Sequence, residues 1–154
     1  MKTVIIFALT VVTILTCGAV TAAEEARTAT IAEMSGKVEV QTDAGVWMPA
    51  QVGMILNQGD SIRTMDESFA VLNVDGVAET ASVEVKQKSN MKLAMLIQDK
   101  EAETQNTLLD LSIGEVLIKA KKLHSEKSKF EVKTPTSIVG VRGTTFSVSV
   151  EAIE

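Results

Sequence analysis

Residues 144–150 read Thr-Thr-Phe-Ser-Val-Ser-Val, and the reading of this stretch decides the fold. Phe146, Val148 and Val150 fall on one side of an extended chain, with Thr145, Ser147 and Ser149 on the other, the period-two pattern of a half-buried strand. The same alternation recurs in Gly36-Lys37-Val38-Glu39-Val40-Gln41, in Ser82-Val83-Glu84-Val85-Lys86 and in Lys129-Phe130-Glu131-Val132-Lys133. The last of these stops at Thr134-Pro135, because proline cannot donate to a ladder. Residues 69–74 (FAVLNV) form a further strand, closed by Asp75-Gly76, a hairpin signal. Strands are also expected at 28–34, 46–49, 61–64, 91–97, 107–112 and 115–120. Turn signals separate them at Asp43-Ala44-Gly45, Asn57-Gln58-Gly59-Asp60 and Asp66-Glu67-Ser68. Many short strands with regular turns predict one all-β domain, a two-sheet β-sandwich or short β-roll with mostly antiparallel neighbours. The polar segments 98–106 and 121–128 read as exposed loops. A Gly-x-Val echo (Gly36-Lys37-Val38 and Gly114-Glu115-Val116) is too short to define a solenoid repeat.

The first 23 residues have a different character. Lys2 precedes an apolar run, Val4 to Leu15, and a small-residue stretch ending Val20-Thr21-Ala22-Ala23. This is the layout of a secretory signal peptide, and the run is shorter than the ~20 residues a spanning helix needs. The expected organisation is a signal peptide at 1–23 and a β domain at 24–154, exported to the periplasm or the extracellular space, with no membrane span after cleavage. The alternatives are a retained anchor or lipidation at Cys17, although Leu15-Thr16 before that cysteine fits a lipobox poorly. Cleavage removes Cys17, the chain's single cysteine, so the mature domain needs no disulfide.

Composition narrows the function. The chain has 154 residues, 3% aromatic content, no Tyr, one Trp and a formal charge of −5. Few rings and net negative charge argue against nucleic-acid binding by stacking or by phosphate neutralisation. One His and one Cys leave little for a metal site or a nucleophilic triad. No P-loop, dinucleotide fingerprint or nucleophile elbow is present. No catalytic, cofactor-binding or metal-ligating residue is assigned, and the chain reads as non-enzymatic and without a cofactor.

Two stretches carry a resemblance. Residues 47–64 (WMPAQVGMILNQGDSIRT) and 130–148 (FEVKTPTSIVGVRGTTFSV) together resemble the FecR domain family. The pattern positions are Trp47, Pro49, Gly53, Gly59, Asp60, Arg63 and Thr64 in the first stretch. In the second they are Thr134, Pro135, Gly140, Val141, Arg142, Gly143, Thr144 and Phe146, with Gly114 on a glycine-anchored strand between the two. The resemblance implies an extracytoplasmic all-β domain that senses or binds an envelope protein. The family's cytoplasmic anti-sigma segment and internal membrane span have no counterpart in this sequence. The function expected is a stand-alone module that binds an envelope protein partner or senses envelope state. The alternatives are a structural or assembly component of the envelope, or a polysaccharide or small-ligand binding domain.

The pattern residues themselves read as architecture. Gly59-Asp60 is turn chemistry, in which glycine supplies an unusual backbone angle and the carboxylate bonds the local backbone. Trp47 is a core or edge anchor near Pro49. Arg142, flanked by Gly140 and Gly143 where backbones are expected to approach closely, is read as a partly buried guanidinium tying two chain segments. Its expected partner is Asp60, which would bring the two motifs together. His124 lies in a charged stretch and reads as a solvated loop residue.

Overall fold

Strand formation follows the alternation closely. The computed structural model describes residues 24–42, 45–75, 80–121 and 125–151; the expected signal peptide and His124 lie outside them. In chain order the strands are β1 (Glu24–Ala26), β2 (Ala29–Ser35), β3 (Val38–Gln41), β4 (Trp47–Pro49), β5 (Ile55–Leu56), β6 (Ser61–Thr64) and β7 (Phe69–Val74). They continue with β8 (Ala81–Val85), β9 (Asn90–Asp99), β10 (Thr104–Ala120), β11 (Lys129–Lys133), β12 (Ile138–Val141) and β13 (Thr145–Val150). The chain is all-β, as expected.

Two hydrogen-bonded sheets share β10. The first runs β4-β3-β6-β9-β10-β11-β12, with β1 also on β9; the second runs β5-β2-β7-β8-β10-β13. All pairs are antiparallel except β10 with β11, where Asn106–Asp110 lie beside Lys129–Lys133 in parallel. One face of most strands is buried, and these faces meet in a single core. Val40, Ile62, Met91, Leu93, Leu109, Leu111 and Val132 come from the first sheet; Ile31, Leu72, Val83, Val116 and Ile118 come from the second. A one-residue slip of any strand would turn this set to solvent, so burial fixes the register.

Two local expectations are corrected. The 98–106 loop is smaller, since Gln98-Asp99 end β9 and Thr104–Asn106 begin β10, leaving a turn at residues 100–103. The 107–112 and 115–120 strands are one strand. Gly114, at φ +97°, does not break it but redirects it, so that residues up to 113 pair with β9 and residues 114–120 pair with β8 and β13. The β7–β8 hairpin forms after Asp75 as expected, with Val74 opposite Ala81.

The Gly-x-Val echo marks more than a sequence coincidence. Gly36, at φ +75°, sits where the chain passes from β2 in one sheet to β3 in the other, as Gly114 does within β10. A Cβ at Gly36 would collide with Ser68, and a Cβ at Gly114 with Ser89. Each serine follows a residue in the left-handed region, Glu67 or Lys88. The Ser68 hydroxyl accepts the Lys37 N–H (2.8 Å) and donates to the Asp66 carbonyl. The Ser89 hydroxyl accepts the Glu115 N–H (3.0 Å) and donates to the Gln87 carbonyl. The pairing repeats as well: β3 lies on β6 as the second half of β10 lies on β8, and β2 on β7 as its first half lies on β9. The domain is built as two interlocked copies of one crossing, related by a pseudo-twofold that exchanges the sheets.

Candidate functional site

The first motif laces the sheets together. From β4 the chain leaves the first sheet, and the Ala50 N–H donates to the Val38 carbonyl. Gly53, at φ +85°, makes the turn that lets its N–H donate to the Ile31 carbonyl at 2.7 Å. The chain then touches the second sheet as β5 and returns through Asn57–Asp60 to β6. Asp60 is 4% exposed; its Oδ2 accepts the Asn57 N–H at 2.7 Å. Gly59, at φ +97°, aims its N–H at the Leu93 carbonyl. Thr64 is buried; its hydroxyl donates to the Lys86 carbonyl and accepts the Ser89 N–H.

The second motif forms the β11–β12 hairpin and the entry to β13. Thr134 closes the hairpin, donating its N–H to the Ser137 carbonyl (2.8 Å) and accepting the Ser137 N–H on Oγ1 (3.0 Å); Pro135 lies inside that turn. Val141 reaches the core and Phe146 packs against it. Gly143, at φ +65°, lies between β12 and β13, and the Thr144 carbonyl accepts the Ala120 N–H.

The expected Asp60–Arg142 bridge does not form. The Arg142 side chain is 67% exposed and its ion-pair partner is Glu126, at 3.4 Å, while Asp60 spends its carboxylate on its own turn. Nor do backbones crowd Gly140, where a Cβ would meet nothing within 4 Å. The buried cross-chain pair is a different one. Arg27, 5% exposed, places Nε 2.8 Å and Nη2 2.5 Å from the two Asp75 carboxylate oxygens. It also donates to the hydroxyls of Thr107 and Thr80, both at 2.9 Å. This fork joins the β1–β2 link, the end of β7 and the start of β10. The sequence carries no local signal for it beyond a lone arginine ahead of a strand.

On the outer face of the first sheet, three side chains make a surface cluster. Period two sends Glu39, Trp47 and Arg63 outward, while Val38, Val40 and Ile62 are buried. The Arg63 guanidinium lies over the Trp47 ring, 4.1 Å from its centroid, a cation–π contact. Its Nε donates to Glu39 Oε2 at 2.7 Å, and Lys37 Nζ lies 3.5 Å from the other Glu39 oxygen. The Arg63 hydrogen bond, reinforced by the Arg63 and Lys37 charges, holds the Glu39 carboxyl below its ordinary pKa despite some desolvation. Trp47 sits on edge strand β4, half-exposed. A planar guanidinium clamped between a ring and a carboxylate is a rigid, amphipathic surface feature with little entropy left to lose on binding a partner.

Among the described residues no group of three or more His, Cys, Asp or Glu is placed to hold a metal ion. The family model described as FecR protein matches residues 60–153. That is more than half of the chain, and the chain belongs to the FecR family. Neither the curated proteins nor the solved structures provide a match.

Proposed function

We propose that this chain is an exported, non-enzymatic sensing and binding module of the cell envelope, which docks an envelope protein on the outer face of the first sheet around Trp47 and Arg63. Membership of the FecR family supports a signalling-related role. The observation that carries the reading is the Trp47–Arg63–Glu39 stack. Most other pattern residues are used up in turns, crossings and core contacts, whereas Trp47 and Arg63 face outward as a preorganised pair. Trp and Arg are the residue types that dominate binding energy when a partner covers them.

The test is crosslinked affinity capture from the envelope fraction with the wild-type chain, Trp47→Ala and Arg63→Ala. A specific protein captured by wild type and lost from both variants, with thermal melts unchanged enough to show folding, is the expected result. Equal capture by all three chains would refute the surface assignment. Recovery of the chain from the cytoplasm alone would refute the envelope role.

A further inference from the structure

Open sheet edges are templates for pairing, and most edges of this domain are blunted. Strand β4 has three residues and contains Pro49; β5 has two residues. The free side of β9 is covered along its length. It carries β6 at Asn90–Lys92, the Gln58–Asp60 turn and the Arg27 N–H at Leu93–Leu96, and β1 at Ile97–Asp99. Strand β12 has four residues, one of them Gly140. Strand β13 is the exception. It has six residues, Thr-Phe-Ser-Val-Ser-Val, with no charge, proline or glycine, and among the described residues its pairing is to β10 on one side only.

The hydrogen-bond phase shows which backbone groups that free side offers. The Ala120 N–H donates to the Thr144 carbonyl, so residues 144, 146, 148 and 150 point their backbone groups at β10, because antiparallel ladders alternate. The Lys121 N–H to Thr80 carbonyl and Lys86 N–H to Glu115 carbonyl bonds on the other side of β10 have the opposite phase, as they must. The N–H and C=O groups of Thr145, Ser147 and Ser149 therefore face away from β10.

We propose that β13 pairs antiparallel with β13 of a second copy of this chain. A twofold axis perpendicular to the sheet at Val148 sets Ser147 opposite Ser149 of the other copy as a hydrogen-bonded pair. Phe146 then faces Val150, Val148 faces itself, and Thr145 faces Glu151. Every outward backbone group of the strand finds a partner. Apolar side chains meet apolar ones on the inner face, and hydroxyls meet hydroxyls on the outer face, with no like charges directly opposed. This is why a second copy, rather than an unrelated strand, is the occupant: the segment is its own complement in polarity and in hydrogen-bond phase. The contact is isologous, so it closes at a dimer and leaves no β13 edge for further addition. A single strand pair is a small interface, and the dimer should dissociate in the roughly micromolar range or weaker.

Sedimentation equilibrium of the exported protein, with amide hydrogen exchange over the same concentrations, tests this. The expected result is a mass rising with concentration to about twice the monomer's. The amides of Thr145, Ser147 and Ser149 should become protected in step, while those of Phe146, Val148 and Val150 are protected throughout. Ser149→Pro deletes only an outward N–H and should give a folded monomer; Ser149→Lys should do the same by charge. A wild-type protein still monomeric at ~1 mM, a dimer in which the three outward amides exchange freely, or a folded Ser149→Pro variant that still dimerises would each overturn the proposal. If both variants fail to fold, the wild-type exchange pattern alone decides.

Discussion

Replacing Asp75 with Asn isolates the energetic role of the buried fork at one end of the domain. Asn is the right substitution because Asp75 has φ +66°, a conformation asparagine tolerates and alanine does not. The change removes one charge and leaves the Arg27 guanidinium, whose side chain is 3% exposed, with neutral acceptors only. Breaking a buried pair in this way costs about 3–5 kcal/mol, and the retained amide oxygen places the expected loss near ~3 kcal/mol. Arg27→Met leaves a carboxylate that is 14% exposed and still bonded by the Thr80 hydroxyl; its expected loss is about 2 kcal/mol. The double mutant has no stranded charge, so it should lose clearly less than the two single losses together. Urea melts read this directly. With a slope of about 1–3 kcal/mol per molar, Asp75→Asn should lower the midpoint by ~1–3 M. A loss under ~1 kcal/mol, or strictly additive singles, would refute the claim that this pair is a buried, coupled unit.

Two of the pattern glycines, Gly114 at a crossing and Gly140 in β12, should separate sharply. Gly114→Ala meets both the left-handed backbone and the Ser89 side chain and should abolish cooperative melting or lower it severely, whereas Gly140→Ala, in open space, should melt like wild type. Glu39 should titrate below the ordinary glutamate value by NMR, and Arg63→Gln should bring it back up. A depressed folded-state pKa means that the contribution of this pair is complete above the ordinary pKa of ~4.3 and fades as pH falls through the lowered value. Intact-mass analysis of exported protein should find the first residue at Ala23 or Glu24 without acyl chains; an acylated Cys17 start would place the protein on a membrane instead.

Much of the fold was legible because burial on one face of a strand writes itself into the chain at period two. Strands β7, β8, β11 and β13 lie within a residue of the alternating stretches that predict them. What was not legible is non-local. Strand β10 read as two strands because a glycine inside an alternating run looks like a stop, and its two halves pair with different sheets. Strand β1, Glu-Glu-Ala, has no buried face and is held by its backbone pairing to β9. The Arg27–Asp75 pair spans 48 positions, and nothing in either neighbourhood names the other. Arg142 attracted the expectation that belonged to Arg27, because it stands in a recognisable motif and Arg27 does not. On the functional side, Trp47 and Arg63 were both singled out, but their stacking depends on β4 and β6 flanking β3 from opposite sides, a topology the sequence does not spell.

The pseudo-twofold explains why the two motifs hold different kinds of residue. In the half containing Gly36, the strands flanking the crossing are β4 and β5. The first motif is the short lace that joins them over the seam, which is why it is rich in turn glycines and closes on the buried Asp60. In the half containing Gly114, the flanking strands are β11 and β13. No short lace joins them, because β11 lies parallel to β10 and β13 antiparallel. The chain must instead run out as β12, reverse at Gly143 and return. That detour leaves β12 and β13 with free sides, and between them and Ile113 a groove of about 680 Å³ lined by Pro135, Val139, Val148 and Val150. The asymmetry between a laced seam and an open one is thus a consequence of a single strand direction. It places two exposed apolar residues, Ile113 and Val139, beside its one long unprotected edge among the described strands, so that pairing through β13 would also narrow the access of water to the open seam.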